Sequence, residues 1–260
     1  MRPDPNIVFI GDIHRDWPSV ERGLAALEHL PQAAVLMGDI ECTAPLDALA
    51  APLLSRGIDV FWISGNHDND GGPEMWANLA NPALNPRTAA GALHGRVVEV
   101  AGLRIAGLNG IFRPRVWHPD RAPGLRHRAD LPANLAKLGD SLRPEHVAAL
   151  THSLSTIAIW PEDVDALAKL RADVLVVHDA PCSHPDGHAV LTDLAVRMGA
   201  RLIVHGHHHV SYRAAHHSGL HAMGVAAAWG MSLAGQPLWR GEPPRILGPL
   251  RPDWTRLAEH

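Results

Sequence analysis

Apolar residues along this chain come in short unbroken runs bounded by glycine, proline and polar clusters. Runs of this length, rich in Val, Ile and Leu, predict strands at residues 7–10, 34–37, 60–63, 97–100, 104–107, 174–177 and 202–204. Helical spacing is found between them. From Ser19 to Leu30 the apolar positions are Val20, Leu24, Leu27 and Leu30, and a second segment begins at Pro161 with Val164, Leu167 and Leu170 on one face. Strand and helix alternate up to Ile63 and strand pairs follow, so the pattern predicts a layered α/β fold without internal repeats. Residues 113–142 break the pattern through Pro114, Pro119, Pro123, Gly124 and Pro132, and read as an insertion or lid within a single domain spanning residues 1–260.

The polar residues that follow these runs carry the chemistry. Asp12-Ile13-His14 follows the first strand, Gly38-Asp39 the second and Gly65-Asn66-His67-Asp68 the third. His178 follows the run at 174–177, and Gly206-His207-His208-His209 the run at 202–204. On an extended chain Asp12 and His14 project to one side, as do His207 and His209. Imidazoles, carboxylates and one carboxamide oxygen, with no thiolate, suit divalent ions such as manganese, zinc or iron rather than copper(I). Asp12, His14, Asp39, Asn66, His178, His207 and His209 are too many ligands for one tetrahedral zinc. They fit two ions roughly 3.5–4 Å apart, an arrangement that clamps both oxygens of an in-line phosphoryl displacement.

In this order the five motifs resemble those of the calcineurin-like metallophosphoesterase family, and the match spans Asp12 to His209. The resemblance implies two mixed β-sheets packed face to face as a sandwich and flanked by helices, the four-layer metallophosphoesterase fold. It implies that Asp12, His14 and His209 hold one ion and Asn66, His178 and His207 the other, with Asp39 bridging. The ions would be two divalent metals, manganese first, with zinc, iron or nickel as alternatives. His67 would stay off the metals beside the scissile phosphate, stabilising charge and protonating the leaving oxygen while a metal-bound hydroxide attacks phosphorus. The expected substrate is a phosphodiester or phosphomonoester within a phosphorylated small molecule or nucleotide.

Two positions depart from the family pattern. Cys42 stands where the protein phosphatases carry a second Asp that orients the catalytic histidine, and Glu41 beside it would point away on an extended strand end. Arg15 follows His14 where many members carry Gly. Both argue against the protein Ser/Thr phosphatases, and residues 100–112 are more similar to the branch containing the RNA lariat debranching enzymes. Asn109 in that segment, with Arg113 and Arg115 just beyond it, are candidate substrate contacts, since guanidinium binds phosphate bidentately. Trp117 could stack on a base or anchor the insertion to the core.

Composition adds exclusions. A net charge of −4 gives no basis for broad nucleic-acid or membrane binding, although a local basic patch stays open. Cys42 and Cys182 read as reduced packing thiols. The first strand follows Met1–Pro5 at once, which leaves no apolar core for a signal peptide and leads us to expect a cytoplasmic protein. Residues 218–239 lack charge, but their glycines and Pro237 read as buried strands and turns. His184 and His188, in the loop after His178, have no place in the pattern yet lie near it in sequence. The alternative from another class is a non-catalytic metal-binding scaffold on the same fold; such proteins lose ligands or the catalytic histidine, whereas all are present here.

Overall fold

A computed structural model describes residues 6–137 and 143–258. The chain opens with β1 (Ile7–Ile10), α1 (Trp17–Ala25), β2 (Ala33–Leu36), two short helices α2 (Leu46–Leu49) and α3 (Ala51–Leu54), β3 (Asp59–Trp62) and α4 (Gly72–Ala80). The middle supplies β4 (Val97–Val100), β5 (Leu103–Leu108), α5 (Leu131–Ala136), α6 (Pro144–Ile157) and α7 (Pro161–Leu167). There follow β6 (Val174–Val177), α8 (Ala189–Met198), β7 (Leu202–His205), β8 (Tyr212–His216), β9 (His221–Gly224), β10 (Gly230–Ser232), β11 (Pro237–Trp239) and β12 (Trp254–Arg256).

Among the described residues the strands form two mixed sheets, one ordered β11-β10-β1-β2-β3 and the other β12-β8-β9-β7-β6-β5-β4. The central strands of each run parallel, β1-β2-β3 in the first and β5-β6-β7-β9 in the second. Strand alternation explains the layering. Ile7, Phe9 and Val35 on one side of the first sheet meet Ile105, Val174, Val176 and Val204 of the second. Val8, Ile10, Ala34 and Leu36, on the opposite side, pack on Val20 and Leu24 of α1 and on Leu46 and Leu53. Leu175, Val177 and Ile203 face Val164 and Leu167 of α7 and Leu191, Leu194 and Met198 of α8. Each central strand is therefore buried on both faces, so its sequence reads as a continuous apolar run. The parallel strands all end at one rim of the sandwich, where every ligand motif begins.

Three sequence expectations shift. α1 starts early because Asp16 caps it, its carboxylate accepting the Ser19 N–H at 3.1 Å, and it stops at Ala25, leaving Leu30 exposed. α7 ends before Leu170, which is exposed rather than on its buried face. The region at 113–142 is not a bare loop over its described part. Val116, Leu125, Leu131 and Leu135 bury themselves against Leu154, Ala158 and Trp160, and Arg128 pairs with Glu162 and Asp163 of α7. Residues 138–142 of that expectation lie outside the described residues. Residues 218–239 fold as β9, β10, β11 and their turns, and no described helix is long and apolar enough to cross a membrane.

Candidate metal centre

Each predicted ligand sits in a loop at the rim of the two sheets, and the loops converge on Asp39. Its Oδ2 lies 3.2 Å from His178 Nε2 and 3.9 Å from His14 Nε2, while its Oδ1 accepts the His67 N–H at 2.7 Å. On one side of Asp39, His14 Nε2 stands 3.0 Å from His209 Nε2, and His209 Nε2 is 4.0 Å from Asp12 Oδ2. On the other, Asn66 Oδ1 is 3.2 Å from His178 Nε2, and the ligand atoms of Asp39, His178 and His207 lie within 4.8 Å of one another. The structure brings all seven side chains together around Asp39, and Asp12 Oδ1 also lies 3.5 Å from His178 Nδ1.

Tautomers decide whether the residues fit a cation. His178 Nδ1 donates to the Met37 carbonyl at 2.8 Å, which leaves a lone pair on Nε2 facing the oxygens of Asn66 and Asp39. His14 Nδ1 donates to Glu41 Oε1 at 2.7 Å, so its Nε2 lone pair faces His209 Nε2. At His178 the Nε2 atom meets two oxygens, one of Asn66 and one of Asp39, an opposition that a proton or a cation relieves. Asp12 Oδ2 is buried without a hydrogen bond among the described residues, although Oδ1 accepts the His207 N–H at 3.1 Å. Such an orphaned carboxylate oxygen costs about 1–3 kcal/mol unless a ligand satisfies it. The donor set fits divalent metal.

The same oxygens raise the affinity of the site for positive charge, protons included. Burial, reinforced by Asp39, pushes the Asp12 carboxyl up to about 7 despite His178. Burial opposes charge on His178, but Asp39 and Asp12 outweigh it and push the ring up to about 10. Burial lowers His207 to about 3 and His209 to about 4, keeping both as the neutral imidazoles that metal requires.

The convergence does not come from strand alternation, as the sequence pattern suggested. His14, Arg15, Asp39, Glu41, His207 and His209 all have positive φ, between 45° and 69°, so the chain has left the strands and turns. Non-glycine residues held in that region cost of order 1–3 kcal/mol each, and here they cluster at one site. Arg15 takes the left-handed conformation for which glycine is suited, and its guanidinium contacts Glu41 Oε2 at 2.7 Å. Glu41 therefore does not point away. Its left-handed backbone swings the side chain inward, where it anchors both His14 and Arg15. Gly206 lies so close to Asp12 that a Cβ would stand 2.6 Å from Oδ1.

Two further residues escaped the sequence reading. Asp68 accepts the N–H groups of Ile40 and Glu41, each at 2.8 Å, and that of Gly65 at 2.8 Å, tying two ligand loops together. Asp70 Oδ2 stands 2.6 Å from His67 Nδ1, an i,i+3 pair closed by the Asp70 N–H to the His67 carbonyl. This carboxylate occupies the orienting role for which Cys42 is unsuited; the Cys42 thiol is free, and burial raises its pKa. His67 is half exposed, at the edge of the ligand cluster, its ring centroid 5.5 Å from that of His14.

The substrate candidates separate. Arg113 lines a cavity of about 310 Å³ together with Asn69, Asp70 and His152. Arg115 is exposed and directed at Asn134 of α5, 3.5 Å away. Asn109 is buried, its Oδ1 accepting the Ser64 N–H at 3.0 Å, so it supports the Asn66 loop. A cavity of about 440 Å³ opens at the opposite ends of the strands, among Leu103, Val174 and Leu202, and includes no residue of this cluster.

A family profile for calcineurin-like phosphoesterases matches residues 5–211. The chain belongs to this family, and membership implies metal-dependent phosphoester hydrolysis. An uncharacterized Haemophilus influenzae protein is 32% identical over 212 residues, covering 79% of this chain and 84% of that one. In fold the chain is similar to the phosphopantetheinyl hydrolase of Mycobacterium tuberculosis, with TM-score 0.52, 17% identity and coverage of 93% of this chain and 100% of that one. It is similar also to a dimetal phosphatase of Danio rerio, with TM-score 0.51, 14% identity and coverage of 86% and 88%.

Proposed function

We propose that this protein is a phosphoesterase with a dinuclear centre, acting on a phosphodiester or phosphomonoester. The observation that carries the reading is the convergence of nitrogen and oxygen donor atoms on both sides of Asp39, around His14 and His209 and around His178 and Asn66. Asp12, His14 and His209 would hold one ion, Asn66, His178 and His207 the other, and Asp39 both. Bound there, the ions supply Lewis acidity and a water activated for attack on phosphorus.

This chain's own residues do the rest. Glu41 and the Met37 carbonyl hold the His14 and His178 rings in the tautomer that offers Nε2. His67 donates a proton to the departing oxygen, with Asp70 fixing its ring through Nδ1. Burial lowers the His67 pKa less than Asp70 and Asp39 raise it, so the ring keeps its proton to higher pH. Arg113 reaches the substrate from the adjoining cavity, and Asn109 acts through the Asn66 loop. Arg115 serves substrates long enough to reach α5. The Danio rerio protein of similar fold is a dimetal phosphatase, which is in keeping with a two-ion reading.

The test is reconstitution of metal-stripped protein with manganese, zinc, iron or nickel, assayed on p-nitrophenyl phosphate and bis-p-nitrophenyl phosphate. At least one metal should restore turnover. Asp39→Ala should abolish it, and His67→Ala should lower it by roughly 10²–10⁴-fold with metal content unchanged. Metal binding without turnover on either ester would point to a non-catalytic scaffold.

A further inference from the structure

At the end of the sandwich away from the metal ligands, the cavity of about 440 Å³ falls within the roughly 300–1,000 Å³ usual for small-molecule pockets. Strand alternation builds its wall. Val174 on β6, Leu202 on β7 and Met223 on β9 belong to the layer between the two sheets, whereas Leu175 and Ile203 face the helices. Leu103 at the start of β5 extends this wall, and Leu233, in the turn after β10, lines the cavity from the first sheet. Leu103, Leu202 and Leu233 are only partly buried, so apolar surface faces water there.

Across the second sheet the wall changes from apolar to basic. Val174 pairs with Leu202 and Leu202 with His221, while Arg213 on β8 pairs with Met223. Tyr212 and Ala214 face the outer core, so Arg213 between them points into the layer between the sheets. Its stem lies against Gly235, so close that a Cβ on that glycine would overlap Arg213 Cδ. Arg213 is half-buried, yet none of the ion pairs among the described residues engages it. Asp173, the acidic residue of the lining, is already held by Arg104, its Oδ2 3.1 Å from Nε and its Oδ1 2.8 Å from Nη2. One carboxylate against the guanidiniums of Arg104, Arg201 and Arg213 leaves the cleft positive.

We propose that this cavity binds an amphiphilic carboxylate, a single apolar chain ending in one anionic group. The carboxylate meets the Arg213 guanidinium, whose planar fork matches it bidentately, with Arg201 and His221 exposed at the mouth. The chain lies across Leu202 and Val174 towards Leu103, beneath Leu233, and covers the apolar surface left wet. Between β8 and β6 stand β9 and β7, so three strand spacings of about 4.8 Å give a path of roughly 14 Å, the reach of a medium-length alkyl chain. The site is independent of the phosphoesterase reading, since it shares no residue with the seven ligands or His67.

Isothermal titration calorimetry of the full chain with sodium decanoate below its micelle concentration tests it. Wild type should bind one equivalent. Decanol, which lacks the charge, and propionate, which lacks the chain, should each bind at least about tenfold more weakly. Arg213→Gln should weaken decanoate by about 10–100-fold. Arg201→Gln, at an exposed position that folding tolerates, should weaken it by a smaller factor, so the test survives an Arg213 variant that fails to fold. An Arg22→Gln control, on exposed α1 surface, should bind as wild type does. No binding to wild type, equal affinity for decanol or propionate, or an unchanged affinity in both the Arg213 and Arg201 variants would each overturn the site.

Discussion

At the scale of single residues the account turns on partners that fix a histidine's tautomer. His67 is positioned by Asp70, whose Oδ2 lies 2.6 Å from its Nδ1. Asp70→Asn keeps the shape and removes the charge, so turnover should fall about tenfold while metal content and thermal midpoint stay put. The loss should be larger for alkyl esters, whose leaving oxygen needs a proton, than for p-nitrophenyl esters. Equal losses on both would mean that Asp70 acts through the site's charge rather than through proton delivery. The candidate ligands were legible from the sequence because each is a chemically distinctive residue in a motif that follows an apolar run. Asp70 and Glu41 were not. Asp70 is one of two acidic residues in Asn66-His67-Asp68-Asn69-Asp70, and Glu41 was read on an extended chain that the left-handed backbone abolishes.

Among the elements, β7 and its loop show how secondary structure sets ligand geometry. His205 ends the strand fully buried, its Nδ1 donating to the Gly206 carbonyl at 2.9 Å and its Nε2 accepting from Tyr212 Oη at 2.8 Å. Ser183 Oγ lies 2.7 Å from the same phenol oxygen, completing a buried chain that holds the peptide between β7 and His207. Burial keeps the His205 pKa well below 6.5. Above pH 6.5 the ring is neutral both folded and unfolded, and its full contribution to stability is present. As pH falls below that value only the unfolded chain takes up the proton, so stability declines until the folded-state value is reached. Urea unfolding of metal-stripped protein from pH 7 to pH 5 should show this loss. His205→Gln, which keeps a donor and an acceptor, should reduce the slope by at most about 1.4 kcal/mol per pH unit. Identical slopes would exclude His205 as a source of acid lability. The strands β1 to β7 were foreseen to within a residue or two, most of them as continuous apolar runs, whereas β8 and β12 were not foreseen. The helix ends were not, as α1 and α7 stop before the apolar period read from the sequence runs out, at Ala25 and Leu167.

For the whole molecule, the sandwich serves as a rigid rim that carries loops, and the region from residue 113 is a separate small core set on α6 and α7. Arg128 joins the two, paired with Asp163 at 2.6 Å and Glu162 at 3.0 Å and lying 5.3 Å over the Trp160 ring. Arg128→Met should lower global stability by about 1–3 kcal/mol in chemical denaturation while leaving metal content unchanged, because charged hydrogen bonds half shielded from water are lost far from the ligands. Loss of metal together with stability would instead tie this region to the rim. Proline content disguised this packing in the sequence, since its apolar residues Val116, Leu125, Leu131 and Leu135 follow neither a strand nor a long helical period.

The central claim is that Asp39 is shared by two ions. A crystal structure of manganese-loaded protein, with an anomalous difference map collected at the manganese edge, tests it most directly. The account predicts two peaks roughly 3.5–4 Å apart, one among Asp12, His14 and His209, the other among Asn66, His178 and His207, with the Asp39 carboxylate between them. A single peak in that pocket at saturating manganese, or two peaks with Asp39 bound to only one, would contradict it.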